Sequence, residues 1–317
     1  MCSLFGLIDY KGCLSARDKE KIIGVLATEC EVRGTDATGV AYIENGKIKI
    51  YKKPLAAHKM KFRFKRNPSV IMGHTRMTTQ GSEKFNYNNH PFYSKKLKFA
   101  LAHNGVIYND NDLKKDKNLP KTKIETDSYV AVQLIEKKTT LNHESIKYMA
   151  ELVKGSFCFT ILNQNNEVYF VKGDNPLVIY NFGGFYIYAS TKEILENTIN
   201  ELRINLIYSN VEVVCGDILK ISPDGSIYKN SFDTSDFYYK SMCELYGGMC
   251  YKFDSTDFEE EYFKDLVDYA KTIGVTKEDI EYLVKLGYDY FDIEEMLYEP
   301  EVLGNLLRGD SSSMAFY

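Results

Sequence analysis

Through the first three quarters of the chain, apolar and aromatic positions gather into runs of strand length. These cover residues 3–8 (SLFGLI), 38–43 (TGVAYI), 47–51, 69–73, 99–108, 155–162, 167–173, 177–181, 184–190 and 212–222. Runs of this length bounded by Gly, Asn and Asp predict β-strands. ENGK at 44–47 and PDGS at 223–226 predict hairpins, because Asn or Asp followed by Gly accepts the positive φ of a tight turn. Helical periodicity interrupts the strands at about residues 16–31, 125–138, 143–154 and 191–200. A strand-rich chain with a few intervening helices predicts an α+β fold with packed layers.

Beyond about residue 240 the pattern becomes short amphipathic helices at 257–274, 276–288 and 292–307, with a Thr N-cap in TKED. Residues 276–307, with LGY between the first two of their helices, weakly resemble a three-helix ubiquitin-associated module. Charge marks the same boundary. The net charge is −4, but residues 251–317 hold 17 Asp and Glu against 6 Lys and Arg, or −11, leaving +7 on residues 1–250. Such asymmetry predicts segments with different solvent faces or partners. Two domains are expected, residues 2–240 and 251–317.

At 317 residues with 44% apolar and 26% charged content, the chain is globular in composition rather than disordered. No run approaches the roughly 20 apolar residues of a membrane span, and the N-terminus lacks a basic leader with a long apolar core. A cytoplasmic protein with no membrane partner is expected. The seven cysteines (2, 13, 30, 158, 215, 243 and 250) include no CxxC pair, so neither a disulfide framework nor a metal site is expected.

Cys2 follows the initiator Met, whose removal would leave a thiol and a free α-amine on one residue. An α-amine titrates near 7.7–8.0 and can serve as base for its own nucleophile. Arg76 in GHTRMTTQGS (73–82) offers a planar fork for a carboxylate, and Asp127 in ETDSYV (125–130) a carboxylate for an ammonium. Asn104 and Gly105 in LAHNGVIYN (101–109) offer a side-chain amide and a backbone N–H for an oxyanion, and equally a type I′ turn.

With RGTDATGVAY (33–42) and NNHPF (88–92), these segments, in this order behind an N-terminal Cys, resemble the class II glutamine amidotransferase domain over about residues 2–230. The resemblance implies a four-layer αββα N-terminal-nucleophile hydrolase sandwich, here with a small C-terminal helical appendage. It implies an enzyme in which Cys2 attacks the side-chain amide of glutamine, passing through a γ-glutamyl thioester and releasing ammonia. Catalytic roles fall on Cys2, Asn104 and Gly105, and substrate binding on Arg76, Thr79, His90 and Asp127, with His90 near the mouth of the site. No cofactor and no metal is implied. His74 and His103 are expected to tie loops together, and Arg33 and Asp36 to support the nucleophile strand. The chain departs from the family pattern at Ser3, Met77 and Gln80.

In this family ammonia passes to a second site, yet the sequence shows no P-loop, no SGGxDS segment and no phosphoribosyl-binding signature. A partner synthase is expected, or a homo-oligomer, or a free-standing glutaminase. Two further readings are an N-terminal-nucleophile hydrolase acting on another amide, and a non-catalytic regulatory or binding module on the same fold. Residues 47–67 hold nine Lys and Arg and no acid, with Tyr51, Phe62 and Phe64 interleaved. That stretch predicts either a solvated hairpin face or a surface for an acidic partner or nucleic acid.

Overall fold

The computed structural model describes residues 2–235 and, beyond them, residues 263, 264, 266, 267, 270, 271, 273–286, 293, 296, 297, 303 and 307. The chain divides into two compact units, Met1–Ser241 and Met242–Tyr317.

Two antiparallel sheets build the first unit. One has seven strands: β1 (Ser3–Ile8), β2 (Ala37–Glu44), β3 (Lys47–Lys53), β4 (Val70–Arg76), β9 (Val178–Asn181), β10 (Tyr186–Ala189) and β11 (Ser209–Val211). Their order across the sheet is β11-β9-β10-β1-β4-β2-β3. The other has six: β5 (Phe92–Ser94), β6 (Phe99–Ile107), β7 (Gly155–Asn163), β8 (Val168–Lys172), β12 (Asp217–Ile221) and β13 (Ile227–Ser231). Their order is β13-β12-β8-β7-β6-β5.

The two-residue period of a strand sorts its side chains into layers. On β1, Leu4 and Ile8 join a buried cluster with Met72, Ala100, Ala102, Cys158, Phe170 and Tyr188, which belong to both sheets. Phe5 and Leu7 face the other way, onto Ile22, Ile23 and Leu26 of α1 (Ala16–Glu29) and Ile194 and Leu195 of α5 (Lys192–Leu202). On β6, Phe99 and Leu101 pack with Val130 and Leu134 of α3 (Tyr129–Lys137) and Ile146 and Met149 of α4 (His143–Leu152). Three clusters between four layers give the αββα sandwich expected from the resemblance.

Most elements form where the sequence places them, including the hairpin at Asn45 and Gly46, closed by the Glu44–Lys47 pair. The short α2 (Asp110–Asp116) and the strands β5 and β11 are not anticipated, whereas the hairpin expected at 223–226 forms between β12 and β13. Asn104 and Gly105 do not form a turn: both lie inside β6, opposite Cys158 and Phe157 of β7.

The basic stretch also differs from its expectation as a nucleic-acid surface. From Lys59 to Lys65 exposed cations alternate with buried Met60, Phe62 and Phe64. Phe62 lies edge-on to Tyr51, with centroids 6.4 Å apart, and Phe64 edge-on to Tyr42 at 5.0 Å. Phe62 and Phe64 fill the α1-side core, with Tyr51 partly buried against it, so neither phenylalanine offers a stacking platform to a base.

In the second unit, α6 (Lys277–Lys285) starts at Thr276, whose side chain accepts from Asp279 N–H while Asp279 accepts from Thr276 N–H. Ile280 and Leu283 pack there with Leu266, Val267, Ala270, Ile293, Leu297 and Leu303. The helices expected at 257–274 and 292–307, and with them the three-helix reading of 276–307, lie largely outside the described residues. No described helix is long and apolar enough to cross a membrane.

Candidate active site

Strand alternation brings three of the candidate residues to one end of the layer between the sheets. Cys2 precedes β1 with the parity of Leu4, Arg76 ends β4 with the parity of Met72, and Asn104 follows Ala102 on β6. β1 and β4 pair Ser3 with Thr75, which sets Cys2 beside Arg76 and Met77.

The Cys2 thiol is half-buried and held by backbone. Met77 N–H donates to Sγ at 3.4 Å, and the thiol faces Met77 O at 3.5 Å. Arg33 Nε donates to Cys2 O at 2.9 Å, and Asp36 Oδ2 accepts from Thr78 N–H at 2.7 Å, so the 33–39 segment supports both Cys2 and the backbone beside it. Gly34 passes so close that a Cβ there would lie 2.5 Å from Arg76 C and 2.6 Å from Met77 N. Burial pushes the Cys2 thiol up from its ordinary value, outweighing the Met77 N–H and the Arg76 cation, which pull it down; Asp127 adds to the rise. The resting sulfur is therefore a thiol at neutral pH, and attack needs a base.

Asn104 is fully buried, and neither Oδ1 nor Nδ2 has a hydrogen-bond partner. An orphaned buried amide costs roughly 1–3 kcal/mol, so its survival here points to a ligand that completes it. Gly105 has φ +140°, and a Cβ there would lie 1.9 Å from Ser156 O, so no other residue fits.

Arg76 is buried and heavily engaged. Nη1 donates to Asn89 Oδ1 at 2.7 Å, and Nη2 to Gln80 O at 2.6 Å and Gly81 O at 2.8 Å. Both Nη2 hydrogens are used, so neither edge of the fork is wholly free for the two-point carboxylate grip expected from the sequence. Such a grip requires displacing the Gln80 or Gly81 carbonyl. Asp127, just ahead of α3, accepts Ile107 N–H at 2.6 Å on Oδ2 and Ser128 N–H at 2.8 Å on Oδ1. With the Ser128 hydroxyl at 3.2 Å, three of its roughly four acceptor sites are filled, leaving room for one more donor.

Thr79 is exposed on the loop after β4. His90 is not at a mouth: it is 4% exposed, stacked on His74 at 4.2 Å, and its Nδ1 accepts from His103 N–H at 3.2 Å. Its displacement from the expected position follows from packing, since an imidazole between two other rings and Phe92 belongs to the interior. His74 does join the two sheets, Nε2 to His103 O at 2.9 Å, and His103 Nδ1 reaches Ser128 Oγ at 2.8 Å. Burial holds His74 down to about 3, His90 well below its ordinary value, and His103 below it too.

Two residues that the motifs do not mark support the site: Asn89, which holds Arg76, and Lys52, whose Nζ donates to Asn89 O and, at 2.9 Å, to Pro91 O. The paired Asn-Asn before His-Pro was the available signal for the first; nothing local marks the second.

Residues 74–197 match the family described as glutamine amidotransferase domain. The chain is 28% identical over 212 residues to glutamine–fructose-6-phosphate aminotransferase (isomerizing) of Staphylococcus epidermidis, covering 64% of this chain and 34% of that one. The Sulfolobus acidocaldarius protein of the same name is 29% identical over 188 residues, covering 56% and 31%. The chain thus spans about a third of the length of the curated relatives it matches. In structure it resembles glutamine phosphoribosylpyrophosphate amidotransferase of B. subtilis, with TM-score 0.59, 21% identity, and 74% of this chain and 50% of that one covered. Over residues 74–197 the chain is thus similar to a glutamine amidotransferase domain, within a longer likeness to glutamine–fructose-6-phosphate aminotransferases.

Proposed function

We propose that residues 2–240 hydrolyse the side-chain amide of glutamine, with Cys2 as nucleophile once Met1 is removed. One observation carries this reading: Cys2, just ahead of β1, and the unpartnered, fully buried Asn104 amide, on β6 of the facing sheet, share the strand parity of the side chains that fill the layer between the sheets.

The α-amine of Cys2 takes the thiol proton, and Sγ bonds to the glutamine Cδ as the carbonyl π pair moves onto oxygen. Asn104 Nδ2 and Gly105 N–H donate to that oxyanion. Collapse breaks the C–N bond, the proton returns to the leaving nitrogen, and ammonia departs from a γ-glutamyl thioester. Water then adds and releases glutamate and the thiol. Arg76 takes the substrate α-carboxylate after Gln80 O or Gly81 O has been displaced, Asp127 takes the α-ammonium on its open acceptor site, and Thr79 closes over the substrate with its loop. His90 acts from behind, as a packed support. Ammonia passes to an acceptor on a synthase partner, and residues 251–317 form a separate helical region.

The test is to incubate the protein, with Met1 removal verified by intact mass, with glutamine and to measure glutamate and ammonia beside Cys2→Ala. Both products from wild type and neither from the variant is the expected result. No product above the variant, with candidate synthases present, overturns the reading.

A further inference from the structure

The oxyanion donor at Gly105 shares a peptide group with the carbonyl of Asn104, and that carbonyl has a partner from outside the sheet. Asn175 Nδ2 donates to Asn104 O at 3.2 Å. Asn175 is 8% exposed, and its Nδ2 also lies 2.7 Å from where a Gly105 Cβ would be, so the amide occupies space that the glycine leaves open.

Its position is built rather than incidental. Gly173 N–H donates to Phe157 O at 3.1 Å, and Phe157 N–H to Asp174 Oδ1 at 2.8 Å. Phe157 is the residue of β7 that stands opposite Gly105. The turn after β8 is therefore sewn on both sides to the residue facing the oxyanion peptide, and its next residue, Asn175, falls on that peptide's carbonyl.

A trans peptide is planar, with C=O and N–H pointing in opposite directions. A hydrogen bond accepted at the oxygen draws charge through the conjugated unit, makes the N–H on the far side a stronger donor, and fixes the plane in which it points. We infer that Asn175 is a positioning residue of the hydrolytic reaction, which polarises and orients the Asn104–Gly105 peptide for the tetrahedral intermediate without touching substrate. The inference rests on the glutaminase reading above. It assigns Asn175 to the transition state and not to glutamine binding, since the charge it supports exists only after attack.

The test uses the processed full chain and three variants, Asn175→Ala, Asn175→Asp and Asn175→Ser, beside Asn104→Ala. Asn175→Ala is expected to lower kcat about 10-fold with KM changed less than about twofold, a smaller loss than removal of a direct oxyanion donor. Binding of glutamate γ-semialdehyde is the discriminating readout. Its aldehyde adds the Cys2 thiol, the Sγ–C bond replacing the carbonyl π bond and the thiol proton passing to oxygen, which places that oxygen in the hole. Its affinity should fall by the same factor as kcat while glutamate affinity holds. Asn175→Ser, which keeps a donor, should recover most of the rate, and Asn175→Asp, equal in size but without the donor, should not. Unchanged kcat in Asn175→Ala, a rate in Asn175→Asp equal to that in Asn175→Ser, or parallel losses of kcat, glutamate affinity and thermal stability would each overturn the inference. If Asn175→Ala fails to fold, the comparison of Asp and Ser variants decides. Wild type without glutaminase activity removes the reading itself and this inference with it; active wild type, impaired Asn104→Ala and unimpaired Asn175 variants remove the inference alone.

Discussion

Met77 N–H donates to Cys2 Sγ at 3.4 Å, so the Cys2 sulfur is held by the backbone of the loop that begins immediately after Arg76. Sulfur and cation are thereby placed by one stretch of chain, and whatever shifts that stretch moves both.

Gly34→Ala tests this. Its Cβ would press on Arg76 C at 2.5 Å and Met77 N at 2.6 Å, both backbone atoms that cannot rotate aside. A stability loss of about 1–3 kcal/mol is expected from overpacking. The glutaminase rate should fall further, by about 100-fold, because a displacement on the order of 1 Å misaligns the attack. Thermal melting and steady-state kinetics on one preparation separate the two effects.

Asn104→Ala should part activity from stability in the opposite sense. Removing an oxyanion donor costs about 10²–10³ in kcat. The side chain makes no hydrogen bond, so its loss should leave unfolding free energy within about 1 kcal/mol of wild type, relief of an orphaned amide offsetting the cavity. Urea melts beside kcat are the check.

Acid should unfold the first unit through its three buried imidazoles. Burial holds His74 at about 3, with His90 and His103 also lowered, so the folded protein refuses protons that the unfolded chain accepts below about pH 6.5. Stability is full above that pH and declines as pH falls towards the lowered values, at up to about 1.4 kcal/mol per pH unit for each histidine. Denaturant midpoints measured from pH 7 to 4 should fall steadily, and His90→Gln should flatten the slope by about one proton.

Lys19→Met should be among the most damaging single changes outside the site. Lys19 Nζ meets Asp9 Oδ2 at 2.7 Å and donates to Pro68 O at 2.9 Å, with both ionic side chains essentially fully buried. Burial pushes the Asp9 carboxyl up, but Lys19 and the Leu14 and Cys13 N–H groups more than reverse it, leaving it below its ordinary value. Asp9 thus adds stability above about pH 4, lost as pH falls through the lowered value. Removing the lysine strands a buried carboxylate, at about 3–5 kcal/mol. Calorimetry of Lys19→Met and of the double variant Lys19→Met/Asp9→Asn measures it, the second recovering part of the loss.

Much of the fold was legible because strands of this sandwich alternate cleanly and its main helices carry one apolar stripe. What escaped lacked such a pattern: β11 is three residues long with none buried, and α2 holds a single apolar residue, Leu113. In the site, residue types announced their chemistry, but their commitments did not show. Arg76 reads as a free fork until Gln80, Gly81 and Asn89 are found on it, and Asn-Gly reads as a turn until β7 is found alongside. Asn175 stands 71 residues from its partner, beyond the reach of any local rule.

The alternation that builds the interior also aims Asn104, since Ala100 and Ala102 face the same way four and two positions earlier. Core and site are thus written in a single reading frame. A one-residue insertion in β6 ahead of them would exchange the faces of Asn104 and His103, sending the amide towards α3 and the imidazole towards Cys2. Length variation in this strand is therefore barred twice, by packing and by chemistry, and the surrounding loops are where the chain is free to change length.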